Sequence, residues 1–187
     1  MREVRLARRS GEQETFVIRR CAMEDLAKIL ALQEKILAEI RDPAIFAATA
    51  EESFVESIRE DYCLGAFCGE ALAAMTLMVT GRYSERNYAH YLAYPKEAYA
   101  SCVSMDLTMV DPAYRGYGLQ LLFTELREEE AQRLGASEAL VTISPDNEHS
   151  LHNLMRAGYE IVCTKELYGG LPRHVLRNRL DQTGEQQ

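Results

Sequence analysis

Several features that define common protein classes are missing from this sequence of 187 residues. No stretch approaches the ~18 consecutive apolar residues that a membrane-spanning helix needs, so we expect no membrane partner. None of the five cysteines forms a C-x-x-C pair, which excludes a zinc ribbon and a thioredoxin-like motif. Because the cysteines are odd in number and scattered, we interpret them as free thiols of a cytoplasmic protein.

An excess of positive charge is also missing. The sequence has 21 Lys and Arg against 29 Asp and Glu, and its net charge is −8. Nothing therefore draws the whole surface toward a phosphate backbone, and we expect no nucleic-acid partner. The acidic balance is compatible with a cationic small molecule or peptide as substrate.

Two well-known phosphate-binding motifs are absent as well. No G-x-x-x-x-G-K-[ST] occurs, which excludes a P-loop. No G-x-G-x-x-G follows an early strand, which argues against a dinucleotide site of the Rossmann type.

The two ends of the chain differ in composition from its middle. Residues 1–13 contain Arg8 and three further arginines but no apolar core of a secretory signal, and we predict a flexible basic arm. Residues 181–187 form a polar tail. No repeat or low-complexity linker divides residues 14–180, which we interpret as one domain.

Hydrophobic periodicity divides this domain into strands and helices in the order β-α-α-β-β-β-α-β-α-β-β. The predicted strands are 14–21, 62–68, 71–80, 100–110, 138–143, 159–168 and 173–180. The predicted helices are 23–40, 49–61, 118–134 and 144–158, with Thr49 as the N-cap of the second. Strands that alternate with helices require crossovers and some parallel pairing, so we predict an α/β (α+β) sheet with helices on both faces.

A glycine-rich turn lies between a predicted strand and a predicted helix, in the segment VDPAYRGYGLQLL at 110–122. The first N–H groups of a helix have no intrahelical partner, and the helix dipole favours negative charge there. Glycines let a phosphate approach the backbone, and Arg115 adds a side-chain charge. The segment is therefore suited to an anion, although two glycines before a helix often form only a turn.

A second segment, SPDNEHSLHNLMRAGY, follows about thirty residues after the turn. The patterns V-x-P-x-Y-R-G-x-G and N-x-x-S-(x)7-G-Y together resemble the GNAT family of N-acetyltransferases, and the element order is similar over roughly residues 14–180. The resemblance implies a single-domain, mixed and largely antiparallel sheet that is splayed at a cofactor cleft.

The same resemblance implies acetyl-CoA as cosubstrate. The backbone of Met109 and Val110 would pair with the pantetheine arm as an added strand does. Asn147 would hydrogen-bond the pantetheine from the segment that also contains Ser150. The pyrophosphate would be bound by the N–H groups of the turn, which belong to Arg115, Gly116, Tyr117, Gly118, Leu119 and Gln120.

Three positions depart from the family's pattern. Gln120 stands where the family usually has Gly or Ala. Leu154, seven residues after Asn147, stands where the family commonly has a tyrosine that protonates the departing thiolate. The family's base is often a Glu on the strand before the turn, and this chain has Asp106 there.

Acetyl transfer to an amine requires a base, because an alkylammonium with a pKa of about 10 is mostly protonated at neutral pH. Asp106 lies on the same strand face as Thr108 and Val110, and it is our candidate base. The alternatives are that Asp106 is only ion-paired with an Arg or Lys, and that His90 is the base instead. The N–H of Met109 or Val110 is suited to stabilising the oxyanion.

A tyrosine-rich stretch precedes the cofactor strand and is suited to shaping an acceptor pocket. Its tyrosines are Tyr83, Tyr88, Tyr91, Tyr94 and Tyr99. We predict that Tyr88 or Tyr91 replaces the missing acid at Leu154. Ordinary aromatic packing, or departure of the thiolate without an enzyme acid, are the alternatives.

No metal site is expected from the histidines. His149 and His152 share a helix face, but no third ligand stands out. The leading hypothesis is an acetyl-CoA-dependent N-acetyltransferase that acts on an amine of a small molecule or peptide. A CoA-binding sensor or catalytically weak member of the same fold is the alternative, and a module without CoA would leave the glycine turn unexplained. A homodimer is compatible with the sequence.

Overall fold

The computed structural model describes residues 1–40, 42, 44–80 and 86–180, so that Tyr83 and the predicted tail at 181–187 lie outside the described residues. The strands are β1 (Arg2–Ala7), β2 (Gln13–Arg20), β3 (Tyr62–Cys68), β4 (Ala71–Val79), β5 (Cys102–Val110), β6 (Glu138–Ile143), β7 (Glu160–Leu167) and β8 (Leu171–Arg179). The α-helices are α1 (Leu26–Glu39), α2 (Glu51–Glu60), α3 (Leu119–Arg133) and α4 (Glu148–Arg156).

The strands follow the sheet order β1-β2-β3-β4-β5-β6-β8-β7. Strands β5 and β6 pair in parallel, and the other strand pairs with a described register are antiparallel. The fold is therefore a mixed α/β fold with a largely antiparallel open sheet, which confirms the predicted fold class.

The chain divides into two compact units. Unit 1 comprises Met1–Arg41, Ala48–Met78 and Leu107–Glu125. Unit 2 comprises Asp42–Ala47, Val79–Asp106 and Leu126–Gln187.

The core of unit 1 is built from β2, β3, β4 and α1. Phe16 and Ile18 alternate along β2 and are buried, as a strand with one core face requires. The buried residues Ile29, Leu32 and Ile36 recur at helical spacing along α1. Strands β3 and β4 are buried over nearly their whole length, which is why both read as continuous apolar runs.

Strand β1 corrects the prediction of a flexible arm over residues 1–13. Residues 2–7 pair antiparallel with β2, with Val4 opposite Phe16 and Leu6 opposite Glu14. Val4 and Leu6 alternate with charged residues in this strand, and its backbone is paired along β2. Charged side chains are common on edge strands because they oppose further pairing, so the basic composition is compatible with order here.

The predicted N-cap of α2 is also corrected. Ala50, not Thr49, precedes the first turn of this helix. The side-chain amide of Gln33, on α1, accepts from the backbone N–H of Thr49 at 2.8 Å and donates to its carbonyl at 3.0 Å. Gln33 is buried, and a buried amide needs hydrogen-bond partners of this kind.

Unit 2 contains the first half of β5, β6, and the hairpin of β7 and β8. The parallel pairing joins Cys102–Ser104 to Glu138–Leu140, and no further β5–β6 pair is found among the described residues. The tyrosine-rich stretch forms two short 3-10 segments, Tyr88–Leu92 and Lys96–Ser101. The side chain of Asn87 ties this stretch to β5, since its amide donates to the carbonyl of Tyr99 at 3.1 Å and to that of Cys102 at 3.3 Å.

Candidate functional site

The turn between β5 and α3 adopts a conformation that requires glycine. After the short 3-10 segment Pro112–Tyr114, the backbone takes φ values of +89° at Gly116 and +79° at Gly118. Residues other than glycine rarely adopt such φ angles. A Cβ placed on Gly118 would meet no atom within 4 Å, so the space beside this residue is open.

The turn carries several backbone donors with no internal acceptor. Within the described part of the chain, the N–H groups of Gly116, Tyr117, Gly118 and Leu119 have no hydrogen-bond partner. Gly116, Tyr117 and Gly118 directly precede α3 and Leu119 begins it, at the end where the helix dipole is positive. Consecutive N–H groups at the start of a helix are the arrangement that binds phosphate in proteins.

The side chains of the turn anchor it while its backbone stays available. The ring of Tyr117 is buried, with its centroid 5.4 Å from that of Phe16, and the guanidinium of Arg8 lies 4.5 Å from the centroid on its face. Leu119 is buried as well. The carboxylate of Asp111 accepts from the N–H of Ala113 at 2.8 Å and closes the first bend.

Ion pairs surround the turn. Arg115, which we expected to add its charge to a bound anion, pairs with Glu39 at 3.0 Å. Both side chains are about half exposed, so this pair is weak and an anion can compete with it. Lys35 pairs with Asp111 at 2.8 Å. The Gln120 carbonyl accepts from the Thr124 hydroxyl at 3.1 Å.

The second half of β5 leads into this turn. Met109 is buried and Val110 is partly exposed. The hydroxyl of Thr76 in β4 donates to the carbonyl of Leu107 at 2.9 Å and lies 2.8 Å from the hydroxyl of Thr108. The N–H of Asp111 donates to the carbonyl of Ala73 at 2.9 Å. These contacts hold the end of β5 against β4.

Asp106, in unit 2, has two polar neighbours. The hydroxyl of Tyr88 donates to one carboxylate oxygen, and the guanidinium of Arg86 lies 3.7 Å from the other. The backbone N–H of Tyr88 donates to the hydroxyl of Ser104 at 2.8 Å and so fixes the ring beside β5. Asp106 therefore has the arginine partner that the structural alternative requires, and it also has an orienting phenol, which a candidate base requires.

Sequence reasoning missed Tyr168, whose hydroxyl contacts the hydroxyl of Tyr88 next to Asp106. It lies in the hairpin loop between β7 and β8, directly before Gly169 and Gly170, and its φ is +51°. Its hydroxyl donates to that of Tyr88 at 3.3 Å and lies 2.8 Å from the hydroxyl of Thr142. Strained non-glycine residues cluster at functional sites. The signal was a tyrosine beside a Gly-Gly turn, but no local pattern links it to Asp106.

The environment of Tyr88 and Tyr91 makes both poor acids. Burial, followed by the charge of Asp106, raises the pKa of Tyr88 well above its usual value. Burial raises the pKa of Tyr91 to about 12. Both phenols hold their protons more firmly than a free tyrosine does, so they are better suited to orienting a carboxylate than to protonating a thiolate.

His90 and Asn147 take up local structural contacts. The Nδ1 atom of His90 lies 2.6 Å from the carbonyl of Asn87, and no described contact links His90 to Asp106. Asn147 caps α4, because its side-chain oxygen accepts from the N–H of Ser150 at 3.2 Å. Its amide nitrogen has no acceptor among the described residues and can donate to a ligand. Leu154 is buried in the same helix.

The described residues contain neither a membrane-spanning helix nor a metal-binding cluster. No helix there has the length and apolar content needed to span a membrane. No three His, Cys, Asp or Glu side chains of the described ranges come together as metal ligands.

Comparison with known proteins places this geometry in context. No protein-family model matches the chain, and no curated protein does. Solved structures do match, and one of them is the ribosomal-protein-S18-alanine N-acetyltransferase from Escherichia coli. Its TM-score is 0.68 at 13% identity, over 92% of this chain and 98% of that chain. An acetyltransferase of the GNAT family from Streptococcus pneumoniae has a TM-score of 0.67 at 15% identity, over 88% and 99%.

The chain has the fold of the GNAT acetyltransferases. A third GNAT-fold structure was solved with a bound ligand: an acetyltransferase from Salmonella typhimurium with its cofactor acetyl-CoA. It has a TM-score of 0.67 at 14% identity, over 92% of this chain and 98% of that chain. The likeness establishes the GNAT fold, while the identities are too low to transfer an acceptor.

Proposed function

We propose that this protein is an acetyl-CoA-dependent N-acetyltransferase. The observation that carries the proposal is the turn at Gly116–Gly118, whose backbone is open and has positive φ at both glycines. Together with Leu119 it presents four consecutive N–H groups at the start of α3. The GNAT fold supports it, because the Salmonella structure with that fold contains acetyl-CoA. A helix start that offers this many donors is suited to the pyrophosphate of a coenzyme A thioester.

In this proposal, backbone groups contribute more than side chains to the binding of acetyl-CoA. The N–H groups of residues 116–119 bind the pyrophosphate, and the backbone of Met109 and Val110 pairs with the pantetheine arm. The N–H of Arg115, which we expected among these donors, instead donates to the carbonyl of Pro112 at 3.3 Å. The amide nitrogen of Asn147, which has no acceptor among the described residues, is the proposed donor to pantetheine, while its oxygen remains the cap of α4.

Asp106 is the proposed base that takes the proton of the acceptor amine. The amine nitrogen attacks the thioester carbonyl carbon, the C–S bond breaks, and coenzyme A leaves as a thiolate. The proton of the attacking amine goes to the Asp106 carboxylate, which Tyr88 holds in place through its hydroxyl. No tyrosine stands at Leu154, and the raised pKa values of Tyr88 and Tyr91 disfavour them as acids, so the thiolate takes its proton from solvent.

The acceptor class is an amine of a small molecule or peptide. The Escherichia coli neighbour is named for the alanine of a ribosomal protein, a peptide amine. The net charge of −8 suits a cationic acceptor, because an acidic surface attracts cations over a distance of about a Debye length.

Two measurements test the proposal. Acetyl-CoA should raise the melting temperature of the protein, since a ligand that binds only the folded state stabilises it. Thiol release from acetyl-CoA should then depend on an amine in a panel of polyamines, amino acids, aminoglycosides and short peptides. A missing thermal shift at millimolar acetyl-CoA would refute the assignment of the turn.

A CoA-binding sensor or weak enzyme is the second candidate. It is favoured by the buried Leu154 at the position of the family's acid and by the ion pair of Asp106 with Arg86. Under this alternative acetyl-CoA raises the melting temperature, but no amine of the panel releases thiol.

A further inference from the structure

Arg8 lies in the tight connection between β1 and β2. Its backbone N–H donates to the carbonyl of Glu12 at 2.8 Å, and its carbonyl accepts from the N–H of Gly11 at 3.0 Å. Its guanidinium also pairs with the carboxylate of Glu12 at 2.8 Å. The hairpin therefore fixes the position from which this side chain extends.

From there the guanidinium reaches the glycine turn, more than a hundred residues along the chain. Its Nε donates to the carbonyl of Arg115 at 3.1 Å, and a second nitrogen donates to the carbonyl of Ala113. The guanidinium covers the ring of Tyr117, with 4.5 Å from its carbon to the ring centroid. The side-chain stem passes beside Gly116, where a Cβ would lie 3.7 Å from the Cγ of Arg8.

These contacts determine the direction of a donor. In a trans peptide group the C=O and the following N–H point in opposite directions within one plane. Holding the carbonyl of Arg115 toward Arg8 therefore turns the N–H of Gly116 away from Arg8. That N–H is one of the four donors without an acceptor in the described part of the chain. The guanidinium also offsets the negative ends of two carbonyls that would otherwise repel a phosphate.

We propose that Arg8 is a positioning residue for the cofactor turn, which it holds so that the N–H of Gly116 faces the pyrophosphate of acyl-CoA. This inference rests on the proposed function. Arg8 acts through the carbonyls of Ala113 and Arg115, so its effect belongs to binding of the pyrophosphate and not to the chemical step.

The experiment compares two cosubstrates in four proteins. Acetyl-CoA contains the pyrophosphate, and S-acetylpantetheine does not. The proteins are the wild type, Arg8→Met, Arg8→Lys and the control Arg9→Met, whose arginine is exposed and has no hydrogen bond, ion pair or ring contact among the described residues. Coenzyme A affinity is measured by calorimetry, steady-state rates are measured with both thioesters, and thermal unfolding reports folding.

In Arg8→Met we expect the Kd for coenzyme A and the KM for acetyl-CoA to rise at least about tenfold, as for loss of hydrogen bonds from a charged donor. The kcat with acetyl-CoA and the rate with S-acetylpantetheine should stay near wild type. Arg8→Lys should also bind coenzyme A weakly, because a lysine cannot donate to two carbonyls with the fixed geometry of a guanidinium. Arg9→Met should match the wild type.

Other outcomes overturn the inference. Full recovery in Arg8→Lys would mean that charge near the phosphate matters and orientation does not. An equal loss with both thioesters would mean general structural damage. Coenzyme A binding within about twofold of wild type in Arg8→Met, a change under 1 kcal/mol, would exclude any role. If the wild type itself bound no coenzyme A, the proposed function would fail and not this inference alone.

Discussion

At the residue scale, the environment of Asp106 bears on whether this protein is an active enzyme. Its side chain is about one-quarter exposed, and one carboxylate oxygen accepts a hydrogen bond from Tyr88. The other carboxylate oxygen lies 3.7 Å from a guanidinium nitrogen of Arg86. That separation is long for a charge-assisted hydrogen bond, which has N···O distances of about 2.7–2.9 Å. The ion pair is therefore loose, which is compatible with the proposed role of Asp106 as the base.

We expect Asp106→Asn to lower turnover more near pH 7 than near pH 9, because a higher pH supplies neutral amine and partly replaces the base. Rates at saturating acetyl-CoA, measured over this range with one amine, would check it. Equal losses at both pH values would instead identify Asp106 as the structural partner of Arg86, and His90 would become the next candidate base.

The two hydroxyls that lead to Asp106 should contribute unequally. Tyr88→Phe removes the donor to the carboxylate, whereas Tyr168→Phe leaves that donor in place and removes the hydroxyl that contacts Tyr88 and Thr142. We expect Tyr88→Phe to lower kcat roughly tenfold, which corresponds to a rise of about 1.4 kcal/mol in the activation free energy. Tyr168→Phe should lower kcat less.

The control for both is Tyr99→Phe, which should keep the wild-type kcat. Coenzyme A affinity, measured by calorimetry, should change by less than about threefold in all three variants, which is under 1 kcal/mol. A larger effect of Tyr168→Phe than of Tyr88→Phe would contradict the order of the two hydroxyls.

At the scale of elements, the glycine turn has two properties that substitutions affect differently: a left-handed backbone and open space beside it. Gly118 has φ of +79°, and a Cβ there would meet nothing within 4 Å. An alanine is therefore strained by its backbone and not by a clash, while asparagine tolerates the left-handed region better. The phosphate, by contrast, would be obstructed by either side chain.

We expect Gly118→Ala to lower the free energy of unfolding by about 1 kcal/mol and Gly118→Asn to lower it less. Both should weaken coenzyme A binding, and Gly118→Trp should abolish the thermal shift. Urea unfolding and calorimetry measure the two effects separately. If Gly118→Asn bound coenzyme A as tightly as wild type, the phosphate would not approach this residue.

Among the elements, strand β1 shows where a sequence pattern misleads. Val4 and Leu6 alternate with charged residues, but the arginine content of residues 1–13 is typical of a solvated arm as well. What orders the segment is its pairing with β2, with Arg2 opposite Ile18 and Ala7 opposite Gln13. The partner strand supplies the hydrogen bonds, and composition does not report a partner.

At the scale of the whole molecule, net charge is the property that bears on the acceptor. A charge of −8 raises the local concentration of cations, and salt screens this attraction. We expect kcat/KM for a polyamine to fall as ionic strength rises from about 0.01 to 0.3 M, and to fall less for a monoamine of similar size. The same salt dependence for both amines would exclude steering by the acidic surface.

The sequence by itself determined the features that depend on neighbouring residues. Apolar spacing predicts α1 and β6 because periodicity is local, and Gly116 and Gly118 predict the turn because only glycine adopts its backbone angles at low cost. The tertiary structure alone decided which distant groups meet. Arg8 bonds the carbonyl of Arg115 across 107 residues, and Tyr168 bonds Tyr88 across 80. Local patterns placed Arg8 in a basic arm and Tyr168 at the end of a predicted strand. They carry no signal of a hydrogen bond between segments that are far apart in the chain.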